Sequence, residues 1–246
     1  MLGGWLLLCV WGDKLVQDLL PLLNAQCDAH WEGTVSFVEE SLKGDKDSRS
    51  VTRGGVTESG FSIWRLEVKT EASLLPVPRG QNKSRPKAQV ARSFENYSEE
   101  RHDKTYEMTC RFPGRNPVRK VTKDSNSETM DEKGSTNTQE DASVHLEPAT
   151  KSFEIEVPYP ALKTKWTQVR VNTPGSCEAA KTDSEETSGE GTPFSASYRS
   201  PGYLTVRGTY DPAHPERLFG NEVTGGLDTI RTTVRWNLRF VVPKPN

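Results

Sequence analysis

A strict alternation of apolar and polar residues near the end of the chain constrains the fold more than any other sequence feature. The segment TTVRWNLRF, residues 232–240, carries its apolar side chains at every second position: Val234, Trp236, Leu238 and Phe240. Because successive side chains of a strand point to opposite faces, this period of two predicts a β-strand with one buried and one solvated face.

Six other short segments repeat this alternation: WEGTVSFVEE from residue 31, WRLEVKTE from 64, TYEMTC from 105, SFEIEV from 152, TQVRV from 167 and YLTVRGTY from 203. They are rich in β-branched and aromatic residues and are bounded by Gly, Pro, Asn or Ser, as strands are. The pattern predicts an all-β fold, an antiparallel sandwich or barrel of about eight strands. We expect Trp31, Trp64 and Trp236 to lie in its core.

The composition limits how much of the chain can be packed. Only 33% of the 246 residues are hydrophobic and the mean hydropathy is -0.70, so the chain can bury one modest core. We therefore expect a single β domain over residues 27–246, with long polar, mobile loops near 79–87, 122–142 and 178–192. An alternative is that these loops become ordered only on a partner.

The first 26 residues form an apolar segment that resembles the core of an export signal. The apolar run is too short to span a bilayer, so we expect export without a transmembrane span. A folded N-terminal helix and a membrane anchor are the alternatives. The net charge of -2 gives no general attraction to nucleic acid.

Two cysteines lie in the body of the chain, Cys110 and Cys177. In an exported protein such a pair predicts a disulfide, although two buried thiols are the alternative. No CxxC motif and no Cys/His spacing typical of zinc is present, so a structural zinc site is not expected.

The segment DPAHPER, residues 211–217, is the one most similar to a functional site. Asp211, His214 and Glu216 could bind a metal or act as an acid–base group. Asp before Pro is also a common start of a turn, and we favour the turn. His102 and Asp103 are adjacent, so in a strand they would point to opposite faces and could not form a catalytic pair. No catalytic or phosphate-binding motif occurs, and we expect no cofactor.

The polar face of the terminal strand carries Arg235 and Arg239. If this strand pairs with SFEIEV, cross-strand ion pairs with Glu154 and Glu156 would explain both charge sets. The alternative is a patch that binds anionic polysaccharide or lipid headgroups.

The two ends of the β region contain longer motifs. The first is W-x-G-T-V at residues 31–35. The second is G-x-Y-D-P-x-x-P-x-x-L-x-G at 208–220, followed by T-T-V-x-W-N-L-R at 232–239. In these motifs, and in the placing of Cys110 and Cys177, the chain resembles a loosely defined group of exported bacterial proteins without an assigned function. The resemblance implies an exported β-rich protein of the periplasm or cell envelope, and it implies no reaction.

These features together predict a secreted or envelope-associated β-domain protein with a binding or structural role. The ligand is not indicated, and envelope polysaccharide or protein are the partner classes to consider. The alternative is a hydrolase or metal-binding enzyme that works from Asp211, His214 and Glu216.

Overall fold

The computed structural model describes residues 29–75, 86–191 and 201–242, and within them every regular element is a β-strand. The eleven strands are β1 (His30–Arg53), β2 (Val56–Leu74), β3 (Lys87–Cys110), β4 (Val118–Asp141), β5 (Ser143–Glu147), β6 (Ser152–Tyr159), β7 (Thr164–Thr173), β8 (Asp183–Glu190), β9 (Gly202–Thr209), β10 (Arg217–Thr224) and β11 (Arg231–Val241). The all-β prediction is confirmed. The signal-like segment 1–26 lies outside the described residues.

Eight strands form one large antiparallel sheet in the order β10-β11-β1-β2-β3-β4-β7-β8. The sheet is open, with β10 and β8 at its two edges, so the barrel alternative is wrong. Three strands form a small antiparallel sheet in the order β5-β6-β9. The resulting arrangement resembles a sandwich with two layers of very different size.

The strands of the large sheet are unusually long, because β1, β3 and β4 each contain 24 residues. Strands β1 and β2 are joined by a tight turn at Gly54 and Gly55, whose φ angles are +58° and +79°. A two-residue turn of this kind needs positive φ at both central positions, and glycine adopts it without steric cost.

The main core lies between the small sheet and one end of the large sheet. From the large sheet it receives Val35, Phe37, Ala72, Leu74, Ala88, Val90, Leu218 and Leu238. From the small sheet it receives Leu146, Phe153, Ile155, Val157 and Val206. The face of the large sheet that carries these residues is called the inner face below. The predicted strand alternation places the core side chains correctly, since Leu238 is buried while Arg235, Asn237 and Arg239 are exposed.

The three predicted core tryptophans belong to two clusters. Trp31 and Trp236 are half-buried and pack against the main core, with Trp236 tilted against Phe153 at 6.0 Å between ring centroids. Trp64 packs instead against a second, smaller cluster made by Leu66, Val68, Phe94 and Leu162. The expectation of one shared core is therefore wrong for Trp64.

Arg92 joins the two layers at the border of the main core. Its side chain extends from β3 and is buried, and its guanidinium carbon lies 3.4 Å from the ring centre of Tyr159 at the end of β6. It also donates a hydrogen bond of 2.5 Å to the carbonyl of Pro160. Burying a charge is tolerated where hydrogen bonds and an aromatic face replace water.

Two predicted loops are strands. Residues 122–141 lie within β4, which pairs with β3 on one side and β7 on the other, and 183–190 form the edge strand β8. The loop interpretation failed because these strands have two solvated faces over much of their length, which leaves no apolar alternation in the sequence. Of the loop expected at 79–87, residues 79–85 lie outside the described part.

The disulfide prediction agrees with the structure, in which the sulfurs of Cys110 and Cys177 lie 2.16 Å apart. The bond joins the end of β3 to the connection between β7 and β8. Within the described residues there is no helix with the length and apolar character needed to cross a membrane.

The expected pairing of the terminal strand with SFEIEV is wrong, because β11 belongs to the large sheet and β6 to the small one. One member of each charge set instead forms an ion pair with a residue on a neighbouring strand. Arg239 of β11 lies 3.0 Å from Glu32 of β1, and Glu154 of β6 lies 2.5 Å from Arg207 of β9. These are exposed cross-strand pairs, and each contributes little to stability.

Candidate functional site

The small sheet covers only one end of the large sheet and leaves the inner face of the other end open to solvent. Strand register arranges the polar side chains there in three rows that run across the strands. The first row is Ser62, Glu100, Glu128, Arg170 and Glu185, and the second, which begins beside Gly60 of β2, is His102, Asn126, Asn172 and Asp183. The third row is Glu58, Lys104 and Asp124. We call these three rows the open face.

The open face is a surface with two adjoining shallow depressions, of about 600 and 480 Å³. Glu100, His102 and Asn126 line both of them. Neighbouring strands of a sheet are about 4.8 Å apart, so each row offers polar groups at regular, closely spaced intervals. A long polar molecule lying across the strands could contact one row along its whole length.

Ion pairs and hydrogen bonds hold several of these side chains in place. The imidazole Nε2 of His102 lies 3.1 Å from Glu100 Oε1, two residues away on the same face. Across the strands, Arg170 Nε donates to Glu128 Oε2 at 3.1 Å, and the Gln168 amide donates to the same carboxylate. The hydrogen bonds from Arg170 and then Gln168 lower the pKa of Glu128.

The far end of the open face is fixed by the Asp124 carboxylate. Tyr106 donates its hydroxyl proton to Asp124 at 3.2 Å, and the backbone N–H of Gly175 donates to the same oxygen. Burial and this neighbouring carboxylate raise the pKa of Tyr106. Gly175 lies two residues before Cys177, so the disulfide and Asp124 hold the same connection against β3 and β4.

Two half-buried tryptophans form the border between the open face and the covered end. Trp64 donates from Nε1 to Asn96 at 2.7 Å, and the Lys43 ammonium lies 5.3 Å from its ring centre. The Trp166 ring lies against Gly189 of β8, where an added Cβ would come within 2.9 Å of it. Aromatic rings beside rows of hydrogen-bonding groups are a common composition for binding sites.

The open face carries an excess of negative charge. Its three rows contain six carboxylates, on Glu58, Glu100, Asp124, Glu128, Asp183 and Glu185, against the two bases Lys104 and Arg170. Glu58 and Lys104 lie 3.7 Å apart, and Arg170 pairs with Glu128. The remaining carboxylates favour cationic ligands and disfavour polyanions, and they do not repel neutral ligands.

The segment suggested by the sequence, DPAHPER, forms a turn between β9 and β10. The Asp211 carboxylate accepts a 2.9 Å hydrogen bond from the backbone N–H of Ala213, and His214 N–H donates to the Asp211 carbonyl. His214 lies 3.4 Å from Glu216; Asp211 and His214 are exposed, and Glu216 is partly exposed. In the described part of the chain, no three His, Cys, Asp or Glu side chains are grouped so that they could hold a metal. The structure therefore places these residues in the turn that we favoured, while the hydrolase alternative stays a prediction.

His102 and Asp103 point to opposite faces of β3, as predicted. His102 belongs to the open face, whereas Asp103 lies on the outer face, 2.8 Å from Lys123 and 3.2 Å from Arg101. Sequence reasoning considered His102 only as half of a catalytic pair and missed its actual neighbours. The available signal was the polar run SNSETMDEK, residues 125–133, but only the pairing register shows which residues meet.

No family model, curated protein or solved structure matches this chain.

Proposed function

We propose that the chain is an exported β-domain protein that binds a polysaccharide across its open face. The single observation that supports this most strongly is the pair of long polar rows, carried by hydrogen-bonded strands and bordered by two tryptophans. A polysaccharide is long and presents many hydroxyl groups at regular intervals. It can therefore exchange hydrogen bonds with several strands at once.

The charge of the open face favours particular sugars. Carboxylates and amide oxygens accept hydrogen bonds from hydroxyl or amino groups, and amide nitrogens and Arg170 donate to ring and hydroxyl oxygens. The excess of carboxylates would repel acidic polymers. We therefore propose a neutral or amine-bearing polysaccharide, and this replaces the anionic polysaccharide considered for the arginine face.

The contacts of the open face support binding more than chemistry. General acid–base catalysis works best with a group whose pKa has moved toward the operating pH. Hydrogen bonds from Arg170 and Gln168 lower the pKa of Glu128 and so move it away from neutral pH. Such a carboxylate is suited to accepting hydrogen bonds in a constant ionised form.

Export is supported by two independent features. Disulfides such as Cys110–Cys177 persist mainly in oxidising compartments outside the cytoplasm. The apolar N-terminal segment has the length of a signal core, and a polysaccharide of the cell envelope would be within reach of an exported protein.

The test compares binding of chitin oligosaccharides, chitosan oligosaccharides and alginate to the purified chain by calorimetry. We expect binding to the neutral or amino polymer and none to alginate. The variant Asn126→Ala/Asn172→Ala removes two amides that lie opposite each other in the second row. Losing several hydrogen bonds to the sugar should weaken binding at least about tenfold.

The matched control is Ser127→Ala/Val171→Ala, which alters the next residues on the same two strands, on the outer face. Its affinity should equal that of the unchanged protein. The proposal is wrong if none of the three polymers binds, or if the control weakens binding as much as the open-face variant does.

A further inference from the structure

The edge strand β10 exposes apolar side chains that the rest of the fold does not use. Phe219, on its outer face, is 76% exposed and is the most exposed large apolar side chain in the described part of the chain. Val223, on the same face of the same strand, is 54% exposed. On one side β10 pairs with β11, and among the described strands none pairs with its other side.

The two edges of the large sheet differ sharply in charge. The strand at the opposite edge, β8, has the sequence DSEETSGE, with four carboxylates and no base. Two copies of β8 would repel each other, which is a known way to keep a sheet edge from pairing. The sequence of β10, RLFGNEVT, has one base and one acid and no such protection.

We propose that β10 pairs with β10 of a second copy of this chain, antiparallel, around a twofold axis at Asn221. In this register Phe219 of each copy lies directly opposite Val223 of the other, because the positions of paired residues sum to a constant. An aromatic residue facing a β-branched residue is a favourable cross-strand pair, and the twofold axis creates it twice. Phe219, the most exposed apolar side chain, thus gains a partner from the same strand of the second copy.

Neighbouring registers are less favourable. A shift that centres the axis on Glu222 would place the two Glu222 carboxylates directly opposite each other, and like charges in that position are destabilising. A shift that centres it on Gly220 would place Phe219 opposite the polar Asn221. Only the Asn221-centred register pairs both exposed apolar residues of one strand with those of the other.

The dimer would be a continuous sheet of sixteen strands. A twofold axis perpendicular to a sheet leaves both inner faces on the same side, so the two open faces would point in one direction. The pairing does not depend on what the open face binds, and it stands or fails independently of the proposed function.

The first test is sedimentation equilibrium of the full chain over a range of concentrations. We expect a monomer–dimer equilibrium, and Phe219→Ser should raise its dissociation constant about 100-fold, since one buried aromatic is lost from each copy. The control is Val121→Ser, which removes a side chain on β4 that is 63% exposed, and it should leave the equilibrium unchanged. A monomer at every concentration, or an equilibrium insensitive to Phe219→Ser, overturns the proposal.

A cysteine cross-link tests the register separately. In Asn221→Cys the two new thiols would face each other across the axis at a separation suited to a disulfide, so mild oxidation should give a covalent dimer. Glu186→Cys, on the opposite edge, should give none beyond the level of the unchanged chain. A dimer in solution without an Asn221→Cys cross-link overturns the register, and assemblies larger than two overturn the twofold pairing.

Discussion

Replacing Asp103 by asparagine should remove a measurable part of the stability of the large sheet. The carboxylate lies on the outer face between β2 and β4, and its side chain is only 15% exposed. It contacts Lys123 at 2.8 Å and Arg101 at 3.2 Å, and it accepts a 2.5 Å hydrogen bond from Ser125. Asparagine has nearly the same shape but cannot carry the charge.

The size of the effect follows from the pKa of this group. Burial alone would raise the pKa of Asp103, but hydrogen bonds from Lys123, Ser125 and Arg101 outweigh it and lower the pKa from 3.8 to about 2. Each pKa unit corresponds to about 1.4 kcal/mol. Because Lys123 and Arg101 are about half exposed, solvent screening reduces the expected loss to about 1–2 kcal/mol at neutral pH.

The sign of the pH dependence is fixed by the direction of the shift. A carboxylate whose folded pKa is depressed stabilises the folded state above its unfolded pKa, and this contribution is lost as the pH falls through the folded pKa. The difference between the protein and Asp103→Asn should therefore be constant above about pH 5, shrink as the pH falls toward about 2 and vanish only below it. Urea unfolding followed by tryptophan fluorescence at several pH values measures it.

A matched control keeps the test specific. Glu107→Gln alters a carboxylate on the same strand that is 60% exposed and lies 3.6 Å from Arg119. It should change the unfolding free energy by less than about 0.5 kcal/mol. If the difference for Asp103→Asn stays constant down to pH 2, or equals that of the control, the account of this cluster is wrong.

Two further predictions concern the disulfide and a glycine. Replacing Cys110 and Cys177 together by serine should lower the unfolding free energy by about 4 kcal/mol, since the bond closes a loop with a sequence separation of 67. Urea titration measures the loss, and a loss below about 1 kcal/mol would count against the chain-entropy argument. The variant Gly220→Ala should cost about 1–3 kcal/mol, because its Cβ would come within 2.5 Å of the Trp236 ring. Gly202→Ala meets no atom within 4 Å and should cost clearly less, and thermal melts of the two variants measure both losses.

The sequence predicts this fold well where one face of a strand is buried. In β6, in the later half of β11 and at the covered end of β2, more buried and less buried residues alternate, so period two identifies the strand and its inward side chains. The disulfide followed from the small number of cysteines. These features depend on local pattern or on composition, and both can be read from a single amino-acid sequence.

The sequence predicts the candidate site poorly because the strands that carry the open face have no buried face there. In β4 and β8 both faces contact water over long stretches, and their polar residues are held in strands by hydrogen bonds to neighbouring strands. Which residues form a row depends on register between segments far apart in the chain. The contact between Arg170 and Glu128, 42 residues apart, has no trace in either segment alone.

The continuity of the long strands links the two ends of the large sheet. On β3, Phe94 is fully buried at the covered end, and His102 lies eight residues further along, about 27 Å away. A slip of one position would turn every side chain of a strand to the opposite face. The packed end of the sheet therefore fixes the strand register at the solvated end, and a change that loosens packing around Phe94 would shift the alignment of an open-face row that Phe94 never touches.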